Sequence, residues 1–175
     1  MPGVRLVPFS RRYLDELRRW FPDRRSAVLW AGSSIDFPLV PEALLAPGDA
    51  HRAPRPERRA WTALDGADEV VGHAQVRFDW RDGTGTLIRV GVAPGRRGEG
   101  IAASMLRPVI DDAFGLAGLE RLELNVYDFN AAAIGLYERL GFVREGVRRA
   151  SARVGEERWN TVIMGLLRDE WKAAA

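Results

Sequence analysis

Residues 92–102 read VAPGRRGEGIA, and they are the most specific local feature of the sequence, because a strand runs through Pro94 into a glycine-rich turn and then directly into a helix. The preceding TLIRVGV at 86–92 has strand composition, and residues 101–114 have apolar side chains at helical spacing. Such a turn presents several main-chain N–H groups beside the positive end of a helix, which favours a bound phosphate or diphosphate. It lacks both the P-loop pattern and the dinucleotide GxGxxG spacing. A tight turn that binds nothing stays open as the alternative.

The segments that follow the turn predict a helix, a strand, a second helix and a hairpin. Pro108 lies inside the first helix and predicts a kink. RLELNVY at 121–127 alternates with period two, so Leu122, Leu124 and Val126 are expected on one face of a strand and Glu123, Asn125 and Tyr127 on the other. Asn130 can cap a helix that runs through Leu140, and residues 142–164 resemble a closing hairpin. The chain is therefore predicted to be a mixed α/β protein.

The segments before the turn are less regular. Ser10 is a plausible N-cap for an amphipathic helix that ends at Trp20, and the prolines within 21–46 predict short helical turns and loops. PGDAHRAPRPERR at 47–59 predicts a mobile connection. Strands are predicted at 4–9, 61–64 and 70–80.

Length and composition limit the class of protein. The 175 residues have the length of one ordinary domain, so a single domain over 1–175 is predicted. With no cysteine and two histidines, disulfides and thiolate sites are excluded, and no metal is predicted. The 26 basic and 24 acidic residues are interspersed, so no nucleic acid partner is predicted. No segment has the apolar length of a signal peptide or a membrane span, so no membrane partner and a cytoplasmic location are expected.

Two motifs in order along the chain resemble the GCN5-related N-acetyltransferase (GNAT) superfamily. The glycine-rich turn matches [QR]-x-x-G-x-[GA] after a strand, with Arg97, Gly100 and Ala102. NAAAIGLYERLGF matches N-x-x-A-x-x-x-Y-x-x-x-G-F, with Asn130, Ala133, Tyr137, Gly141 and Phe142. WAGSSIDFPLVPEAL at 30–44 and the closing hairpin are more loosely similar to the ribosomal-protein-alanine acetyltransferase-like branch.

The resemblance implies a GNAT fold, in which a mixed, mostly antiparallel sheet is splayed between two neighbouring strands and flanked by helices. It also implies acetyl-CoA as co-substrate, with its diphosphate on the amides of residues 97–102 and its pantetheine arm beside the strand that ends at Val92. The implied CoA-binding residues are Val90, Val92, Arg97, Gly98, Glu99, Gly100, Ile101, Ala102, Asn130 and Ala133.

The resemblance implies that Tyr137 protonates the departing thiolate, and the alternative is a tyrosine packed on the sheet. Asn130 has two compatible interpretations, a helix cap and a contact to the CoA arm. Glu123 is a candidate general base because it projects from the polar face of its strand beside the proposed gap. Alternatively, the Glu123 carboxylate pairs with an arginine, and Arg89 is the obvious partner by residue type. In that case no side chain acts as the base, and water relays the proton. His73 is expected to be structural.

The resulting prediction is an N-acetyltransferase that moves an acetyl group from acetyl-CoA to a primary amine by direct transfer in a ternary complex. The acceptor is a small molecule or a peptide N-terminus. The alternative is a non-catalytic acyl-CoA-binding sensor or regulatory module. The resemblance also implies a homodimer, a common state among such proteins.

Overall fold

The fold is a seven-stranded mixed sheet with helices on both faces. A computed structural model describes residues 3–46 and 50–174. Its strands are β1 (Arg5–Pro8), β2 (Arg58–Leu64), β3 (Val70–Asp79), β4 (Thr84–Val92), β5 (Arg121–Tyr127), β6 (Val143–Val154) and β7 (Glu157–Leu167). Its α-helices are α1 (Leu14–Arg19), α2 (Arg24–Ala31), α3 (Pro41–Leu44), α4 (Ile101–Phe114), α5 (Ala131–Arg139) and α6 (Arg168–Ala174).

The order of the strands explains where the sheet can open. It is β1-β2-β3-β4-β5-β7-β6, and every neighbouring pair is antiparallel except β4 and β5. These two parallel strands pair only from Thr84↔Arg121 to Leu87↔Leu124, so their carboxyl-terminal halves separate. The predicted mixed, mostly antiparallel sheet with one splayed strand pair is confirmed.

Apolar side chains form a core on each face of the sheet. The core on the α4 and α5 side contains the fully buried Met105, Leu106 and Leu122, together with Tyr137. The other core lies under α1 and α2 and is rich in aromatic residues, which are Phe9, Tyr13, Trp20, Phe21, Tyr127 and Trp159. Burial of apolar surface on both faces stabilises the domain and holds the two halves of the splayed pair in place.

Most predicted elements are present, with shifted ends. The predicted helix from Ser10 instead divides into a 3-10 turn at Arg11–Tyr13 and the short α1, and the Ser10 side chain makes no cap hydrogen bond. Arg58 and Arg59 belong to β2, although the connection was expected to extend through them, because both pair with β3. Residues 47–49 of that connection lie outside the described residues. α4 continues through Pro108 without a break, and the proline lies on its exposed face.

No helix within the described residues is long and apolar enough to cross a membrane.

Candidate active site

A cleft of about 380 Å³ opens where β4 and β5 separate. One wall is formed by residues 87–90 of β4 and the other by residues 125–127 of β5. α5 contributes Asn130, Ala133 and Tyr137, and residues 29–34 at the end of α2 cover one side. Arg148, Ser151, Ala152 and Thr161 of the closing hairpin complete the lining, together with Arg77 of β3. The cleft therefore joins the splayed strands to both helical layers.

The β4 wall of the cleft is shaped by a β-bulge that was not predicted from the sequence. The register between β3 and β4 shifts between His73 and Gln75, and Arg89 adopts a positive φ of 54°. A bulge of this kind bends a strand and changes the direction of its side chains. Its position coincides with the loss of pairing between β4 and β5 after Leu87↔Leu124.

A buried polar network holds the bulge. Gln75 donates through Nε2 to the carbonyl of Leu44 at 2.8 Å and lies 3.0 Å from His73 Nε2, while its Oε1 accepts from Arg89 Nη1 at 3.0 Å. Because a guanidinium only donates and a carbonyl only accepts, these contacts fix the orientation of the amide. Burial, followed by repulsion from Arg89 and Arg58, lowers the pKa of His73 to about 3, so the imidazole is neutral. The structural role expected of His73 agrees with this placement.

Tyr137 faces the cleft from α5. Its side chain is buried, and its ring lies edge-on to Phe142 at a centroid distance of 5.9 Å. Burial raises the pKa of Tyr137 well above its usual value, so the hydroxyl keeps its proton at neutral pH. Tyr137 is packed as expected of a structural tyrosine, and it also lines the cleft as expected of a proton donor.

α5 begins at the same cleft. Asn130 Oδ1 accepts from the amide of Ala133 at 3.3 Å, which confirms the predicted N-cap. Asn130 and Ala133 both line the cleft, so the capping role of Asn130 is compatible with the predicted contact to a CoA arm.

The glycine-rich turn follows directly from the β4 wall. Gly98 and Gly100 have positive φ values of 87° and 81°, a conformation that favours glycine. The amides of Gly100, Ile101 and Ala102 lie at the start of α4, where a helix leaves its first N–H groups without intrahelical partners. No carbonyl or side chain among the described residues accepts a hydrogen bond from them. The turn therefore presents donors and the positive end of α4 to an anion.

The two arginines of the turn differ. Arg96 is anchored, with Nη1 2.8 Å from Asp65 and Nε 2.9 Å from Glu99. Arg97 is exposed, and its Nε donates to the Val92 carbonyl at 3.4 Å. The Arg96 contacts fix the turn against the loop after β2.

Glu123 does not lie in the cleft. It is within the paired part of β5, opposite Thr86 and Gly165, and its carboxylate lies 3.4 Å from Arg121. The strands separate only after Leu124, so the expectation that Glu123 projects beside the gap is not met. Its partner is Arg121 and not Arg89, which bonds to Gln75 instead.

The remaining predicted residues fall into two connected groups. Val90 lines the cleft with Asn130, Ala133 and Tyr137. The others follow β4 into the turn and are Val92, Arg97, Gly98, Glu99, Gly100, Ile101 and Ala102. The sequence interpretation missed Asn125, Arg148, Ser151 and Thr161, which line the cleft from β5 and the hairpin. The only signal for Asn125 was its place on the polar face of β5.

The acetyltransferase (GNAT) family model matches residues 11–142. The chain belongs to this family. Two curated relatives of this GNAT chain are an uncharacterized, SPbeta prophage-derived N-acetyltransferase of Bacillus subtilis and the [ribosomal protein bS18]-alanine N-acetyltransferase of Escherichia coli. The first is 28% identical over 111 residues, which are 63% of this chain and 62% of the relative. The second is 36% identical over 81 residues, 46% of this chain and 54% of the relative. The chain thus spans less than two thirds of the length of either relative.

The fold is also similar to solved structures. The spermidine N-acetyltransferase of Vibrio cholerae, crystallised with CoA and spermine, superposes with a TM-score of 0.79 at 18% identity, covering 97% of this chain and 98% of that one. At that identity the likeness shows the GNAT fold.

Proposed function

We propose that this GNAT-family protein transfers an acetyl group from acetyl-CoA to a primary amine while both substrates are bound. The observation that carries the proposal is the path of β4, which lines the cleft from Leu87 to Val90 and then runs through Val92 into the glycine-rich turn and the donors at the start of α4. At one end of this path an anion is favoured, and at the other the sheet is open. A diphosphate with a long thiol-bearing arm has the length and charge distribution that such a path accommodates.

In this proposal the turn binds the diphosphate through the amides of Gly98 to Ala102 and through the charge of Arg97. The arm passes Val92 and Val90 and enters the gap between β4 and β5, where Asn130 and Ala133 contact it. The unpaired edges of these strands supply main-chain groups to an extended ligand, as strand addition does elsewhere. The thioester is then held near Tyr137.

The reaction needs a neutral amine to attack the thioester carbonyl, which gives a tetrahedral intermediate. Its collapse forms the amide and breaks the carbon–sulfur bond, and Tyr137 donates a proton to the thiolate that leaves. The proton lost by the amine passes to water and restores the tyrosine. Among the described residues, no Asp, Glu or His lines the cleft, so we assign this relay to water instead of Glu123. Direct transfer needs no covalent enzyme intermediate.

That missing base favours one alternative function, an acyl-CoA-binding sensor without turnover. The two hypotheses agree on CoA binding and differ in chemistry. Isothermal titration calorimetry with CoA tests what they share, and no binding at millimolar CoA would reject both. Thiol release from acetyl-CoA with a panel of primary amines then separates them. Release that depends on the amine supports the transferase, and binding without any release supports the sensor.

A further inference from the structure

The closing hairpin contributes a strained segment to the wall of the cleft. Between the pairs Arg148↔Thr161 and Ala152↔Trp159, the three residues 149–151 of β6 lie opposite one residue of β7 and form a bulge. Ala150 within this bulge has a positive φ of 51°, a conformation that is uncommon for a residue other than glycine. Such strain persists only where the surrounding structure enforces it, and it is concentrated at functional sites.

Asn160 of β7 enforces the conformation of the bulge. Its Oδ1 accepts from the amide of Ala150 at 2.8 Å, and its Nδ2 donates to Asp128 Oδ2 at 2.8 Å. Asp128 lies in the short connection between β5 and α5. One side chain therefore fixes the bulge of the hairpin relative to the loop from which α5 begins.

The bulge brings two hydroxyl groups together in the cleft. Ser151 Oγ lies 2.7 Å from Thr161 Oγ1, and both residues line the cleft. Thr161 is buried and pairs with Tyr127 of the β5 wall, whereas Ser151 is exposed. A hydroxyl has one donor and two acceptor lone pairs. Whichever of the two groups donates, their bond occupies at most one lone pair of Ser151 Oγ, so this oxygen can accept from a ligand.

We propose that Ser151 Oγ, directed by Thr161, accepts a hydrogen bond from an N–H of the acceptor amine and so turns the nitrogen lone pair towards the thioester. This proposal rests on the proposed function, because it names the group that binds the nucleophile of the same reaction. Ser151 keeps its own proton throughout, and the proton that the amine loses passes to water as described above.

A hydroxyl suits the form of the amine that reacts. A carboxylate would stabilise the ammonium ion through its opposite charge and would raise the pKa of the amine, whereas a hydroxyl brings no charge. Arg148 pairs with Thr161 and lines the cleft, so its positive charge disfavours an ammonium ion at the same place. The neutral amine, which alone has a free lone pair, is therefore the form that this group favours.

The first experiment measures thiol release from acetyl-CoA with a panel of primary amines that includes propylamine and alanine amide, and it continues with the amine that reacts fastest. Ser151→Ala removes one neutral hydrogen bond and should lower kcat/KM for the amine by about twofold to tenfold. Ser151→Thr retains the hydroxyl and should restore most of the loss. A native value in Ser151→Ala, or an equal loss in both variants, would overturn the proposal and leave the acetyltransferase function standing. No release with any amine would reject that function, and this proposal with it.

The second experiment tests the partner hydroxyl. Thr161→Val should lower kcat/KM because Ser151 Oγ loses the group that directs it, and Thr161→Ser should not. Thr86→Val is the matched control, since Thr86 lies in the paired part of β4 and does not line the cleft. An equal effect of the two valine substitutions would contradict the role of Thr161.

Two further readouts separate a contact to the amine from a general disturbance of the site. The Kd for CoA should be the same in Ser151→Ala as in the native chain, because Ser151 is not assigned to the coenzyme. The hydroxyl does not titrate near neutral pH, so kcat/KM should fall by the same factor at every pH. A weaker Kd for CoA, or the loss of one limb of the pH–rate profile, would overturn the proposal.

Discussion

A comparison of Gly98→Ala with Gly95→Ala tests the glycine-rich turn at the level of single methyl groups. At both positions an added Cβ would find no protein atom within 4 Å, so neither variant creates a clash. The two differ in backbone conformation, because Gly98 has a φ of 87° and Gly95 lies in the 3-10 turn Pro94–Arg96. The pair therefore separates backbone strain from steric contact.

The expected stability changes have opposite signs. A left-handed conformation costs an L-residue about 1–2 kcal/mol, so Gly98→Ala should lower the free energy of unfolding by that amount. Gly95→Ala restricts the unfolded chain without strain in the folded one and should raise it by about 0.4–1 kcal/mol. Urea unfolding measures both values. Equal changes in the two variants would show that the turn does not depend on the conformation of Gly98.

The same pair tests the anion site. A methyl group or a relaxed backbone at Gly98 disturbs the amides that we assign to the diphosphate, so the Kd for CoA should rise by about tenfold, or 1.4 kcal/mol. Gly95→Ala should leave the Kd nearly unchanged. Calorimetry at a temperature where both variants are folded measures this. An unchanged Kd in Gly98→Ala, or the same loss in both variants, would refute the placement of the diphosphate.

Three further predictions use other parts of the structure. Tyr137→Phe should lower kcat by about 10²–10⁴-fold, which is the usual contribution of a positioned general acid. The Kd for CoA should stay the same. An unchanged kcat would show that Tyr137 is not the proton donor. His73 has a pKa of about 3 in the folded chain, against 6.5 unfolded, so the unfolded chain binds more protons between these values and stability is lost as pH falls below about 6.5. Between pH 7.5 and pH 5 this loss of unfolding free energy amounts to about 2 kcal/mol. Urea unfolding across this pH range should show the loss in the native chain and not in His73→Leu. The same dependence of unfolding free energy on pH in both proteins would contradict the burial of a neutral imidazole. Pro108→Ala should raise Tm, because alanine supplies the N–H that an interior helical proline lacks. The proline costs about 3 kcal/mol and restricts the unfolded chain by about 0.4–1 kcal/mol, so the net gain is about 2 kcal/mol. A lower Tm would show that α4 is adapted to the proline.

Local sequence patterns predicted the parts of the fold whose geometry is itself local. Period-two alternation identified β5, and Asn130 was correctly assigned as the cap of α5 because capping depends on residues three apart. The glycines of the turn were found because positive φ selects for glycine. The resemblance carried by the motifs that include Arg97 and Tyr137 then implied that the strand ending at Val92 separates from the next strand.

The parts of the site that were not predicted depend on pairing between distant segments. The position of Glu123 outside the cleft follows from where β4 and β5 stop pairing, and period two cannot show this. The bulge at Arg89 is held by Gln75 and by the carbonyl of Leu44, which lies 31 residues from Gln75 in sequence. A positive φ at an arginine has no compositional signal, unlike one at glycine. Arg148 reaches the cleft only because β6 folds back on β7.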